Sequence, residues 1–133
     1  MKQKIKKLIG SFFLFFILSG NIFFIQTDIA YSLEAKDSNL IEKISKDYTK
    51  KFCNSIGFGL SKESAMNFSY KENKQIFNKR KGIQNIDKEI LANKIGLSVV
   101  DGCGYQLNLY GEEDIEEFAN LYLSVDTERN SSN

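Results

Sequence analysis

Cys53 and Cys103, fifty residues apart, are the side chains with the clearest covalent chemistry in this sequence. Two thiols so placed make neither a Cys-x-x-Cys redox motif nor a four-ligand zinc site. In an oxidising compartment they are expected to pair as a disulfide. Closing a loop of that length removes unfolded-state entropy equivalent to about 4 kcal/mol, enough to decide whether a small domain folds. A redox-sensing bridge reads the same way in sequence, and a pair of buried free thiols is the third reading. The structural bridge is the expectation adopted, because no neighbouring base is placed to lower a thiol pKa.

The rest of the chemical inventory is sparse. There is no histidine, which removes the usual general base near neutral pH, the Ser-His and Cys-His nucleophile systems, and the commonest metal ligand. Carboxylates cluster in Glu112-Glu113-Asp114 and Glu116-Glu117. At a helix start such a run reads as a solvated surface that suits the helix dipole, and it lacks the ligand spacing of a calcium loop. Gly57-Phe58-Gly59 lacks the strand and further glycines of a phosphate-cradling loop, so a helix cap is the better reading. Lys79-Arg80-Lys81-Gly82 reads as a solvated basic turn rather than an anion or headgroup site. No catalytic residue, metal ligand or cofactor-binding residue is expected.

The elements that must position these residues are helical. The chain has no proline, one β-branched pair at Val99-Val100, and apolar residues recurring at spacings of three and four. A first helix is predicted from Asp37-Ser38-Asn39, with a stripe of Leu40, Ile41, Ile44, Tyr48 and Phe52, stopping in Asn54-Ser55-Ile56-Gly57, where Gly57 or Gly59 takes the left-handed conformation. Ser61 caps a second, peripheral helix running to about Lys79, with Ala65, Phe68, Ile76 and Phe77 as its apolar face. A third opens at Asn85 or Asp87 and sends Ile86, Ile90, Leu91, Ile95 and Val99 to the core. Gly96 inside it costs about 1 kcal/mol relative to alanine, which predicts close approach by a neighbouring helix. Gly102-Cys103-Gly104 is expected to end the third helix, with an irregular Tyr105 to Tyr110 connection. A short acidic fourth helix follows from Gly111 to Asp114, with Ile115, Phe118, Ala119 and Tyr122 on one side. Residues 126–133 are expected to be disordered. An up-down bundle of about four helices puts the ends of helices one and three together, so the cysteine pairing is geometrically sensible.

Ahead of this domain, Lys2, Lys4, Lys6 and Lys7 precede an apolar run from Leu8 to Ile25 whose densest part is Phe12 to Leu18. That is the layout of an export signal, and Ala30-Tyr31-Ser32 supplies a small-residue cleavage site. Residues 1–32 are therefore read as a signal peptide; an uncleaved membrane anchor is the alternative, because eighteen apolar residues lie at the lower edge of a spanning length. Removing them leaves about 100 residues, read as one helical domain over 33–125, with a core resting on Phe52, Phe58, Phe68, Phe77 and Phe118 with the aliphatics. The whole chain carries a formal net charge of +1, and near-neutrality argues against a nucleic-acid partner. Bases outnumber acids from Lys36 to Lys94 and acids outnumber bases from Asp101 to Arg129.

The segments Phe52-Cys53-Asn54-Ser55-Ile56-Gly57-Phe58-Gly59-Leu60-Ser61 and Val99-Val100-Asp101-Gly102-Cys103-Gly104-Tyr105 resemble those of a family of small exported proteins of marine unicellular cyanobacteria. The resemblance covers about residues 48–110 and implies a periplasmic or thylakoid-lumen location. It brings no activity, cofactor or catalytic residue. From the leader, the missing catalytic set and the sorted charges, the expected function is that of a non-catalytic accessory or interaction protein with a protein partner at or near a membrane. A membrane-anchored subunit that keeps its leader and a thiol redox protein using Cys53 and Cys103 are the competing readings.

Overall fold

Apolar side chains at helical spacing need a partner surface, and here four helices supply it for one another. The computed structural model describes residues 37–131, the side chain of residue 130 excepted. The expected signal peptide or anchor, residues 1–32, lies outside them. Among the described residues the fold is all-α: α1 over 37–57, α2 over Lys62–Phe77, α3 over Lys88–Leu107 and α4 over Glu112–Ser131, with a single 3-10 turn at Ile83–Asn85. None of these helices is long and apolar enough to cross a membrane.

The chain direction alternates from helix to helix. Glu42 pairs with Lys94 at 3.2 Å and Cys53 reaches Cys103, so α1 and α3 run parallel. Lys62 meets Glu117 and Tyr70 meets Asp126, which makes α2 and α4 parallel as well. Lys88 against Asp126 and Gly96 against Ile115 show α3 and α4 antiparallel. This is the up-down-up-down order of a four-helix bundle.

Local chemistry explains where the helices begin and end. The Ser61 hydroxyl accepts from the Ser64 N–H at 3.2 Å and starts α2. The Asp87 carboxylate accepts from the N–H groups of Glu89 and Ile90 at 2.9 and 3.0 Å and starts α3. α1 closes through Gly59 at φ 87°, with Leu60 N–H donating to Ser55 C=O at 3.1 Å and Gly59 N–H to Ile56 C=O at 2.8 Å. That pair of bonds is a Schellman closure, and it selects Gly59 over Gly57 as the left-handed residue.

The core is built on an aromatic chain. Phe118 meets Phe52 edge-on at 5.1 Å between ring centroids, Phe52 stacks with Tyr48, Tyr48 meets Tyr122 edge-on at 5.3 Å, and Tyr122 meets Tyr70 at 5.9 Å. Ile44, Ala65, Ala92, Ile95, Val99 and Ala119 fill the space around it.

Several expectations are corrected. Phe58 is 85% exposed and Phe68 and Ile76 about half exposed; the tyrosines at 48, 70 and 122 take the place in the core assigned to Phe58 and Phe68. α2 buries Ala65, Met66, Ser69, Tyr70, Asn73 and Phe77, a stripe whose small and polar members carry no hydropathy signal. Ile90 faces solvent. Gly102-Cys103-Gly104 does not end α3. Cys103 kinks it, at φ −149° and ψ 16°, and the helix resumes through Leu107 until Asn108, at φ 57° and ψ 39°, closes it with its N–H on Gly104 C=O. Asparagine tolerates the left-handed region better than other side-chain-bearing residues. The stretch expected to be disordered from Asp126 is helical to Ser131. Asp126 is held by Tyr70 and Lys88, and the Arg129 guanidinium donates to Asn67 Oδ1 at 2.9 Å.

Candidate functional site

Each end of the bundle gathers a distinct set of side chains. At one end the α1–α2 and α3–α4 connections lie side by side. Cys53, in the last part of α1, and Cys103, at the kink of α3, form the expected disulfide there, with Cα atoms 5.6 Å apart. Gly102 lies against it: a Cβ at this position would be in ordinary contact with Cys53 Sγ at 3.6 Å and would press on Thr49 Cγ2 at 3.3 Å. The Cys103 side is buried and the Cys53 side half-buried.

Around the bridge the connections leave apolar side chains in solvent. Phe58 and Leu60 follow α1, Tyr105 lies two residues beyond Cys103, and Tyr110 precedes α4; Phe58 and Tyr105 are 85% and 83% exposed. The sequence assigned Phe58 to the core and Tyr105 and Tyr110 to an irregular connection, so this rim was missed. A partial signal was present in Gly59 and Gly111, which mark the connections that hold Phe58 and Tyr110, but nothing local in the sequence marks Tyr105, which lies within α3.

The acidic run beside this end does not converge on a point. Asp114 Oδ2 accepts from the backbone N–H groups of Tyr110 and Gly111, at 2.7 and 3.1 Å, and so caps α4. Glu117 reaches Lys62 at 3.4 Å, while Glu112 and Glu116 flank a groove between α3 and α4 with Glu89. Among the described residues no three Cys, Asp or Glu side chains are arranged to hold a metal ion.

At the opposite end α2, the turn before α3, and the last half of α4 enclose a cleft of about 460 Å³. The Tyr70 hydroxyl donates to Asp126 Oδ1 at 2.6 Å, and Lys88 Nζ donates to the other oxygen, Oδ2, at 2.6 Å. Lys74 Nζ donates to the Tyr70 oxygen at 3.4 Å and lies 5.4 Å from the centre of its ring. Asn73, buried beneath them, donates to Ile44 C=O at 3.0 Å and to Asp47 Oδ2 at 2.9 Å. Burial pushes the phenols of Tyr48, Tyr70 and Tyr122 well above the ordinary tyrosine range. At Tyr70 the hydrogen bond to Asp126 and that carboxylate's charge add to the effect, and Arg129 opposes it. All three therefore stay neutral at any physiological pH; Tyr70 donates to Asp126, while the buried Tyr48 hydroxyl has no hydrogen-bond partner among the described residues. The basic turn Lys79-Arg80-Lys81 is exposed, as expected, and the residues on either side of it line the cleft.

Sequence reasoning placed Tyr48 and Tyr122 on buried stripes but assembled no cleft. The phenol that reaches Asp126 belongs to Tyr70, which no stripe read from the sequence contained, whereas the buried Tyr48 hydroxyl finds no partner among the described residues, so a search for tyrosine partners would not have led to the cleft.

No protein-family model, curated protein or solved structure matches the chain.

Proposed function

We propose that this chain is an exported, non-catalytic accessory protein that engages a protein partner at or near a membrane through the disulfide end of its bundle. The observation that carries the reading is the rim of solvent-exposed rings there, Phe58, Tyr105 and Tyr110, set on a frame tied by Cys53–Cys103. Interfaces draw their energy from a few aromatic anchors on rigid supports, and a bridge beside the rim reduces the ordering cost of binding. The cationic, apolar leader and the disulfide support export, to a periplasm or a thylakoid lumen.

Two measurements test the reading. Native protein from fractionated cells should have an intact mass that starts at Leu33 and is two hydrogens lighter than the dithiol; a mass retaining Met1 to Ser32 excludes the soluble exported form and favours an anchored subunit. Affinity capture from the membrane fraction should recover a partner with the native protein and lose it with a Phe58→Ser, Tyr105→Ser variant of unchanged melting temperature. Recovery of no partner, or equal recovery by the variant, overturns the proposal.

A further inference from the structure

The cleft at the far end of the bundle owes nothing to the aromatic rim and has its own chemistry. Its volume, about 460 Å³, lies within the 300–1,000 Å³ typical of small-molecule sites. The walls are apolar: Ile44, Phe77, Ile83, Ile86, Leu91 and the ring of Tyr122. Charge is confined to three lining residues, Lys74, Lys88 and Asp126. Lys88 is largely exposed, with 64% of its side chain in solvent, whereas Asp126 is only 17% exposed and accepts from both Tyr70 and Lys88. The lining therefore carries two ammonium groups against one carboxylate: Lys88 pairs with Asp126, Lys74 donates to the Tyr70 oxygen, and one positive charge is in excess. Lys79, Arg80 and Lys81 are exposed in the turn between lining residues Asn78 and Ile83, and the Asp37 carboxylate lies beside the same turn, 3.8 Å from where a Cβ on Gly82 would stand.

An apolar interior beneath a net-cationic mouth selects an amphiphile with an apolar body and an anionic head. We infer that the cleft binds a single-chain fatty acid, its alkyl chain against Ile86, Leu91 and Tyr122 and its carboxylate at Lys74 and Lys88. A planar or highly polar anion would leave the apolar walls unused, and because the Tyr70 hydroxyl and the Asn73 amide already donate within the protein, it would be met by the lysines, Asn78 and Gln84 alone. An alkyl cation would meet the lysines, because Asp126 is held by Tyr70 and Lys88. A chain of ten carbons fits: at roughly 30 Å³ per methylene, about the volume share of a water molecule, it occupies some 300 Å³.

Titration calorimetry of the native protein at pH 7.5, with octanoate, decanoate, decanol and decyltrimethylammonium below their micelle concentrations, tests this. Decanoate should bind at a single site. Burial of each methylene is worth about a fourfold gain, so octanoate should bind on the order of 15-fold more weakly. Decanol should bind at least tenfold more weakly than decanoate, and the ammonium amphiphile more weakly still. Lys88→Gln and Lys74→Gln should each weaken decanoate severalfold and leave decanol unchanged. Raising the salt concentration should reproduce that pattern without any substitution, which keeps the test decisive if a variant folds poorly. Ligand-induced NMR shifts should centre on Leu91 and Tyr122. The inference is overturned by absence of decanoate binding at millimolar concentration, by equal affinity for decanoate and decanol, or by shifts centred on Phe58 and Tyr105. The last result would also assign the ligand to the rim, whereas failure of partner capture leaves the cleft untouched.

Discussion

Replacing Gly96 by alanine sets two effects of known sign against each other. In the interior of α3, alanine is intrinsically better than glycine by about 1 kcal/mol, so propensity alone predicts a more stable protein. The structure predicts the reverse. A Cβ on Gly96 would lie 2.5 Å from the backbone oxygen of Ile115 and 3.3 Å from its Cγ2. Carbon–oxygen contact is comfortable near 3.5 Å, and a carbonyl locked in α4 cannot rotate away as a side chain could, so the two helices must separate by about 1 Å. A gap of that size forfeits a quarter to a half of each affected dispersion contact, and α3 and α4 carry Ile95, Val99, Phe118 and Ala119 of the core. Overpacking of this kind costs about 3 kcal/mol at the upper end of the usual range. After the propensity gain, the net loss is about 2 kcal/mol, or a melting temperature lower by about 8–16 °C in a domain of this size. Urea unfolding followed by far-ultraviolet circular dichroism measures it directly. Gly57→Ala is the internal control: nothing lies within 4 Å of a Cβ there, and a neutral or slightly stabilising result is expected. A Gly96→Ala protein as stable as the parent would refute the close approach of α3 and α4, and with it the packing described for the core.

Removing both sulfurs, in Cys53→Ser with Cys103→Ser, should cost about 4 kcal/mol by the loop-entropy argument for a sequence separation of 50, read from denaturant midpoints of the oxidised and variant forms; a loss under 1 kcal/mol would mean that the bridge is not structural. Alkali should unfold the protein. Tyr48 and Tyr122 are raised in the folded state, so stability is fully present below the ordinary tyrosine pKa near 10 and falls above it, by about 1.4 kcal/mol per pH unit for each phenol kept protonated. Tyr70 is raised in the same way, so three phenols contribute; unfolding midpoints at pH 9, 10.5 and 11.5 should show this slope, and Tyr48→Phe should flatten it by about a third, while phenolate absorbance appearing for all tyrosines before unfolding would contradict it. Asn73→Ala removes bonds to Ile44 C=O and to the Asp47 carboxylate and should cost about 2 kcal/mol in urea unfolding, with no change expected if Asn73 faces solvent.

The elements legible in the sequence are those specified by a single local interaction. Ser61 and Asp87 cap their helices because an oxygen at that position meets free first-turn amides, whatever the rest of the chain does. Gly96 advertised a close approach because glycine inside a helix has a cost that needs a tertiary reason. What escaped depended on two distant segments at once. The buried face of α2 is recognisable only when Asn73 is seen against α1 and Tyr70 against α4; by hydropathy alone, Phe68 and Ile76 outrank both. The flanking glycines of Cys103 suggested a helix stop, yet they allow a kink that brings the thiol to Cys53, and termination passed to Asn108. The last turns of α4 looked too polar to order because their anchors, Tyr70, Lys88 and Asn67, lie 38 to 62 residues away.

The same long-range bonds separate the functions proposed for the two ends. The bridge sits beside the rim formed by Phe58 and Tyr105, and the pairing of Asp126 with Tyr70 and Lys88 sits in the cleft, with the aromatic chain from Phe118 to Tyr70 between them. Tyr70 and Tyr122 belong both to that chain and to the cleft lining, so an alkyl chain against Tyr122 packs on the end of the core itself. Occupancy of the cleft should therefore raise the stability of the whole domain, by the mass-action amount set by ligand concentration and affinity, rather than of α4 alone. Hydrogen exchange distinguishes the two cases: protection on adding decanoate should rise in α1 and α3 as well as in α2 and α4. Protection confined to the last turns of α4 would mean that the ligand orders a loose terminus and that the aromatic chain does not couple the ends.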